Sequence, residues 1–289
     1  MRHIFIVNPT AGCGKSLEIS KIIEQFCKER KVEYKIIYTS KPGDATEIVK
    51  NLGENNMVYC VGGDGTLKEI VNGIVKTNNV LSLIPGGSGN DFERTLQTMP
   101  KGIRCIDLGM VNEQFFINIA SIGLDAEIAK NAELMKSRNI PNSMIYNASI
   151  LTTVFNRKDP CIMVGDQKCK ITLMAICNGR YYGRGFKIAP EAKLNDGYFD
   201  IYMVDSMPNI AIPGLFLKLL QGTHEKSNYV KRFSAYNLRV ESDEPIICSV
   251  DGEIIEDTCF EFDLIENAIK VDNGDTIGIK QYIKEKQKN

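Results

Sequence analysis

Residues 57–66 read Met-Val-Tyr-Cys-Val-Gly-Gly-Asp-Gly-Thr, an unbroken apolar run ending in a glycine-rich loop. Such a run predicts a strand covered on both faces, as in the middle of a parallel sheet. Three glycines in four positions then permit positive φ and let backbone amides approach a ligand closely. Thr66 can cap the helix that follows, and the start of that helix would face the same ligand. Asp64 is the informative residue, because a carboxylate among phosphate-binding amides repels the ligand unless a cation bridges them. A Mg²⁺ carried by a nucleotide would be that cation. A plain glycine turn with a solvated aspartate accounts for less of the pattern.

Outward from this segment, short apolar runs alternate with helical patterns. His3–Val7, Tyr34–Tyr38 and Val80–Ile84 read as further strands; Ser16–Arg30, Asp44–Leu52 and Thr66–Val75 place apolar residues at helical spacing. Alternation of this kind predicts a Rossmann-like parallel α/β domain with helices on both faces. Two more of its strands end in candidate phosphate loops. Pro85-Gly86-Gly87-Ser88-Gly89-Asn90-Asp91 follows the Val80–Ile84 strand and adds polar Ser and Asn side chains to its glycines. Asn8-Pro9-Thr10-Ala11-Gly12-Cys13-Gly14-Lys15-Ser16 follows the first strand. It ends like a Walker loop, but proline stands where the first glycine belongs and cannot donate an N–H. Loops at the ends of successive parallel strands converge on one crevice, where open α/β sheets bind ligands.

Beyond Asp107 the pattern changes. Helical spans are predicted at Leu124–Ser137 and Ser143–Phe155, then strands at Lys170–Cys177, Tyr198–Val204, Ser234–Val240, Ile246–Val250 and Cys259–Leu264. Regularly spaced strands predict a second, β-rich, sandwich-like domain. The apolar segment Ile210–Leu220 is too short to span a bilayer and reads first as a half-buried helix, with contact to a bilayer or acyl chain as the alternative. His224 reads as a surface histidine.

Composition limits the function classes. The 289 residues hold 35 Lys plus Arg against 36 Asp plus Glu, a formal charge of −1, so no electrostatic footprint for nucleic acid is present. The first residues form a strand without a leader's apolar core and cleavage site, and no transmembrane segment is expected. The nine cysteines are scattered, with no Cys-x-x-Cys pair and only two histidines in the chain. They read as reduced thiols of a cytoplasmic protein, not as zinc ligands.

The signature Gly62–Thr66 with Glu69 and Asn72-Gly73 resembles one shared by diacylglycerol, sphingosine and NAD kinases. The segments Asn8-Pro9…Gly12 and Pro85–Asp91-Phe92…Arg94 narrow the resemblance to bacterial diacylglycerol kinase-like lipid kinases. It continues in order through Gly123-Leu124-Asp125, Asn178–Gly183, Ile188–Ala192, Asp196–Asp200 and Val250–Glu253, and so covers nearly the whole chain. Ser88 stands where the family usually has threonine, and Arg184 where glycine is common.

The resemblance implies a lipid kinase that uses ATP and Mg²⁺. It implies that residues 1–108 and about 275–289 form the nucleotide-binding domain. Residues 109–274 would supply the catalytic base and the lipid side of the cleft. For ATP it implies Asn8, Pro9, Thr10, Ala11, Gly12, Thr39, Gly62, Gly63, Asp64, Gly65, Thr66 and Ser88. It implies a general base at Asp251 or Glu253. Alternation on an extended chain would put both carboxylates on one face, and an Asp-Gly hairpin turn is the plain reading of the same residues. A second, structural Mg²⁺ is implied at Asp196, with backbone oxygens from Lys193 and Tyr198, a donor set that suits a hard cation. The lipid would be met at the membrane surface. An NAD-type or other small-molecule kinase, and a non-catalytic nucleotide or lipid sensor, are the alternatives. The acceptor lipid, and whether the chain forms a homodimer, are left open by the sequence.

Overall fold

The structure, a computed structural model, describes residues 1–87, 89–136, 142–183 and 185–288. Ser88 and Arg184, both singled out above, lie outside the described residues.

The first half runs β1 (Arg2–Val7), α1 (Lys15–Arg30), β2 (Tyr34–Tyr38), α2 (Asp44–Lys50), β3 (Asn56–Gly62), α3 (Asp64–Ile74), β4 (Val80–Pro85) and α4 (Asp91–Leu96). Its strands pair in parallel in the order β4-β3-β1-β2. All seven residues of β3 are buried, as expected for a central strand. Period-two alternation divides them between two cores. Val58 and Cys60 meet Leu67, Ile70, Val71 and Ile74 of α3 on one face. Met57, Tyr59 and Val61 meet Ile19, Ile23 and Phe26 of α1 on the other.

The second half runs β5 (Ile103–Val111), β6 (Gln114–Phe116), β7 (Ile119–Gly123), α5 (Leu124–Lys136), α6 (Asn142–Asn156), β8 (Cys161–Val164), β9 (Gln167–Cys177), β10 (Tyr181–Tyr182), β11 (Phe186–Lys187), β12 (Phe199–Asp205), α7 (Ile212–Leu220), β13 (Val230–Ala235), β14 (Asn237–Val250), β15 (Glu253–Asp272) and α8 (Ile279–Lys286). It is the expected β-rich, sandwich-like body. Its core is built from inward residues such as Phe116, Met174, Ile201, Cys248 and Phe260.

The two halves share one sheet. β15 pairs antiparallel with β14 and β5, and its last residues, Lys270–Asp272, pair in parallel with Val80–Ser82 of β4. The register with β5 shifts between Ile265 and Ile269, and Asn267 there has φ +51°. Asp107 holds this irregularity, accepting from Asn267 N at 2.8 Å and from Gly197 N at 3.0 Å. α8 returns to the first half, where Ile279 and Ile283, one turn apart, complete the core beneath α1.

Several expectations need correction. α3 begins at Asp64 with Gly63 as its cap, so Thr66 lies inside the helix and not at its cap. The predicted strand Ser234–Val240 is two strands, β13 and β14, separated at Tyr236. Ile246–Val250 and Cys259–Leu264 are parts of much longer strands. His224 is buried, its Nε2 2.9 Å from the Ile188 carbonyl and its ring beside Tyr202. On α7 no residue is buried; one flank is half-covered, while Leu217 and Leu220 are more than half exposed. Among the described residues no helix is long and apolar enough to cross a membrane.

Candidate active site

The three glycine loops meet at the carboxyl ends of the parallel strands. Asn8 N donates to the Val61 carbonyl at 3.1 Å, tying the first loop to the second. Gly86 N and Gly87 N both donate to the Gly62 carbonyl, at 2.9 and 3.1 Å, tying the third to the second. Side chains repeat the pattern: Asn8 Nδ2 donates to Thr66 Oγ1 at 3.1 Å, and Asn90 N to Asp64 Oδ2 at 2.9 Å. Glycine is required at two of these contacts. A Cβ on Gly12, whose φ is +60°, would lie 2.0 Å from the Gly86 carbonyl oxygen, and one on Gly87 would lie 2.5 Å from Gly63 Cα. The loops therefore approach backbone to backbone.

They form one wall of a cavity of about 470 Å³. Of the nominated residues, Asn8, Ala11, Gly12, Gly63, Asp64, Gly65, Thr66 and Asp251 line it. Gly62 lies behind the loops as their shared acceptor. Pro9, Thr10 and Thr39 are not among the lining residues. Thr10 closes a local turn onto Asn8 Oδ1, and Thr39 N donates to the Val7 carbonyl, one residue before Asn8. The opposite wall comes from the second half and is partly apolar, with Ile117, Ile128 and Ala129 beside Asp125 and Tyr182.

Carboxylates crowd this cavity. Asp64, Asp91, Asp125 and Asp251 all line it. The Asp64 carboxyl is pushed up to about 6, first by burial, then by the neighbouring Asp91 carboxylate and, beyond it, Asp251. The Asn90 amide opposes the shift. Burial likewise raises Asp125, against hydroxyl donors from Ser121 and Tyr182. A cation among these carboxylates would relieve their mutual repulsion; no three of them form a metal cluster by themselves, so a divalent metal here would take part of its ligands from nucleotide phosphates.

Asp251 and Glu253 do not share a face. The chain between β14 and β15 is not extended but turns tightly, with φ +48° at Asp251 and +89° at Gly252. Positive φ at both positions is the hairpin turn that Asp-Gly favours, so the plain reading and the site reading apply to the same residues. The turn directs Asp251 into the cavity, where it accepts from Ile117 N (2.8 Å), Asn118 N (3.1 Å) and Ile119 N (3.0 Å). Burial raises its carboxyl nonetheless; these amides and the Lys68 ammonium pull the other way. Glu253 points elsewhere. Its side chain is 63% exposed and 2.7 Å from Lys68 Nζ, with Gln114 Nε2 at 3.1 Å.

Lys68, buried on α3, also donates to the Val250 carbonyl at 2.9 Å and so fixes the Asp251 turn against the first half. Asn72, one turn later, exchanges hydrogen bonds with the backbone of Phe115. Asn72 belonged to the quoted signature, but Lys68 was missed. Its signal was a lysine beside Leu67 on the face of α3 that carries Ile70 and Val71. Asp91 and Asp125 stand in the motifs above, whose spacing gives them no role.

The residues nominated for a structural metal lie apart from this cavity. Lys193, Asp196 and Tyr198 line a separate concavity of about 280 Å³, together with Asp200 and Arg232. Burial raises the Asp196 carboxyl, opposed by the Tyr198 amide and the Lys193 charge, whereas Asp200 is held by Arg232 at 2.7 Å. The described residues contain no cluster of three or more His, Cys, Asp or Glu that could hold a metal. An ion here would depend on Asp196 and backbone oxygens, with Glu191 also lining the concavity, a donor set that fits Mg²⁺ or Ca²⁺ better than zinc.

Comparison with known proteins agrees with this arrangement. Residues 2–115 match the family described as diacylglycerol kinase catalytic domain, and residues 118–272 match the YegS C-terminal NAD kinase beta sandwich-like domain. A diacylglycerol kinase of Staphylococcus saprophyticus is 31% identical over 87% of this chain and 88% of its own. One of Bacillus subtilis is 28% identical over 87% and 89%. A crystal structure from Bacillus anthracis has the same fold, with a TM-score of 0.70 and 25% identity, covering 93% of this chain and 96% of the other. With three phosphate-type loops facing a second-half carboxylate turn, and both halves matched in order, the chain belongs to the diacylglycerol kinase catalytic-domain family of kinases.

Proposed function

We propose that the protein transfers the γ-phosphoryl group of Mg-ATP to the hydroxyl of a lipid, diacylglycerol or a related one. The observation that carries this reading is the placement of Asp64 and Asp251 in one cavity between phosphate-type loops and a partly apolar wall. The three loops hold ATP, with residues 1–108 and 275–289 forming the nucleotide side and residues 109–274 the acceptor side. Mg²⁺ brought in with the nucleotide would neutralise phosphate charge there, and Asp64, which lines the cavity, would be among the residues that hold it. Asp251 accepts the hydroxyl proton, because its carboxylate lies in the cavity and is raised by burial, whereas Glu253 is engaged outside by Lys68. Lys193, Asp196 and Tyr198 would hold a second, structural Mg²⁺, with Asp196 supplying its carboxylate and the other two backbone oxygens. The lipid is met at the membrane surface, a reading supported by the exposed apolar residues Ile210, Leu217 and Leu220 in and beside α7.

The test is incubation with Mg-ATP and a total lipid extract, followed by mass spectrometry for lipids that gain phosphate. The NAD kinase-like character of the second half favours one competing reading, an NAD-type kinase. Label from ATP in NAD, with none in the organic extract, would establish that reading instead. Asp251→Asn is expected to lower turnover by about 10²-fold or more, the usual range for a lost general base; loss confined to Glu253→Gln would transfer the role to Glu253. Asp64→Ala is expected to damage nucleotide binding more than Lys15→Ala, since Lys15 is exposed and does not line the cavity.

A further inference from the structure

We propose that a second concavity, at the C-terminal end of α4, is a binding site for a phosphate-bearing anion separate from the nucleotide. This cavity, of about 290 Å³, is lined by Thr95, Thr98, Arg104, Arg180, Lys193 and Asn195 among others, and shares no lining residue with the central cavity. Its lining contains three cationic side chains and no carboxylate.

Two features make this a site and not an ordinary basic patch. Arg180 is fixed: its Nε donates to the Ala192 carbonyl at 2.7 Å and its backbone N to Thr95 Oγ1 at 2.9 Å. That anchoring uses one edge of the guanidinium, and its terminal nitrogens have no partner among the described residues. Arg104 and Lys193 form no ion pair among the described residues, although thirteen form elsewhere among them; an acidic influence on Lys193 comes from Asp196, across the neighbouring concavity. Like charges gathered in one concavity repel each other, and an anion between them converts that repulsion into charge-assisted hydrogen bonds. The planar guanidinium fork matches phosphate oxygens two at a time. The volume lies at the lower end of the range for small-ligand sites, which suits a phosphate or phosphomonoester group. α4 connects the two sites, since Asp91 and Phe92 line the central cavity and Thr95 the second.

The phosphate could be soluble or the headgroup of a lipid, and the test separates these sources. The full chain is first saturated with Mg²⁺ and a non-hydrolysable ATP analogue, so that the central cavity is filled. It is then titrated calorimetrically with inorganic phosphate at constant ionic strength. In parallel it is co-sedimented with phosphatidylcholine vesicles with and without phosphatidic acid. Saturable binding in either arm is expected to weaken about tenfold or more in Arg104→Glu, the loss of one charge-assisted contact. An effect in the phosphate arm alone assigns a soluble anion, and one in the vesicle arm a headgroup. Arg104 is exposed on β5, so its replacement should leave thermal unfolding unchanged, and Arg104→Gln gives a milder second variant of the same direction. Binding that neither replacement alters in either arm, or that follows ionic strength alone, would overturn the proposal.

Discussion

Replacing Asp64 by asparagine is expected to make the ligand-free protein more stable while removing its response to Mg-nucleotide. The Asp64 carboxyl is raised from 3.8 to about 6 in the fold, a span of about two pH units. At about 1.4 kcal/mol per unit, the folded state carries a cost of about 3 kcal/mol at neutral pH for keeping this group ionised. The sign follows from the direction of the shift. A carboxyl whose folded value lies above its unfolded one favours the fold below the unfolded value, and that advantage is lost as pH rises through about 6. Asparagine keeps an oxygen that can accept from Asn90 N, now 2.9 Å from Asp64 Oδ2, and carries no charge. Urea unfolding of both proteins without ligand, from pH 4 to 7.5, measures the difference. The variant should exceed the wild type by about 3 kcal/mol at pH 7.5 and by little at pH 4. Mg-ATP at about a thousand times its Kd should then reverse the order, since it adds about 4.1 kcal/mol to the protein that binds it. A variant no more stable than wild type at pH 7.5, or a gap that does not change with pH, would refute the reasoning.

Other expected outcomes follow from single contacts. Gly12→Ala must place a methyl group 2.0 Å from the Gly86 oxygen at a φ that costs an L-residue about 1–2 kcal/mol; nucleotide affinity, read by calorimetry, should fall about tenfold or more. Lys68→Met removes the donor to Val250 O and Glu253 and should lower unfolding free energy by about 1.5–3 kcal/mol. It should also raise the Asp251 carboxyl further, since the ammonium is one of the groups holding it down, which NMR titration of that carboxyl would follow. Mg²⁺ titrated into nucleotide-free protein should raise the melting temperature of the wild type and not of Asp196→Ala; an equal rise in both would count against the structural metal.

The sequence revealed most where chemistry and periodicity were local. Met57–Val61 could be read as a central strand because all its residues are apolar, and the loop after it because Gly-Gly-Asp-Gly leaves few backbone alternatives. The union of the two halves could not be read in the same way. Lys270–Asp272 pair with Val80–Ser82 across nearly two hundred residues, and nothing in either segment names its partner. Lys68 was missed because burial of a lysine is decided by what lies opposite it, here the Val250 carbonyl. The division of labour between Asp251 and Glu253 was misjudged for a related reason: extended-chain alternation fails in a turn where two successive residues have positive φ. His224 was expected at the surface, but the Ile188 carbonyl gives its ring a buried partner.

The return of β15 to β4 bears on how such a protein can be divided. A gene fragment ending near residue 117 would encode all three phosphate loops, yet it would lack the strand that covers the free side of β4 and the helix that fills the hollow beneath α1. Its product would present an unpaired parallel edge beside exposed isoleucine and phenylalanine, which is a template for aggregation. The first half is thus not a transplantable cassette. It is completed only by the last part of the chain, so a nascent polypeptide cannot finish folding its first half until nearly all of it has been synthesised.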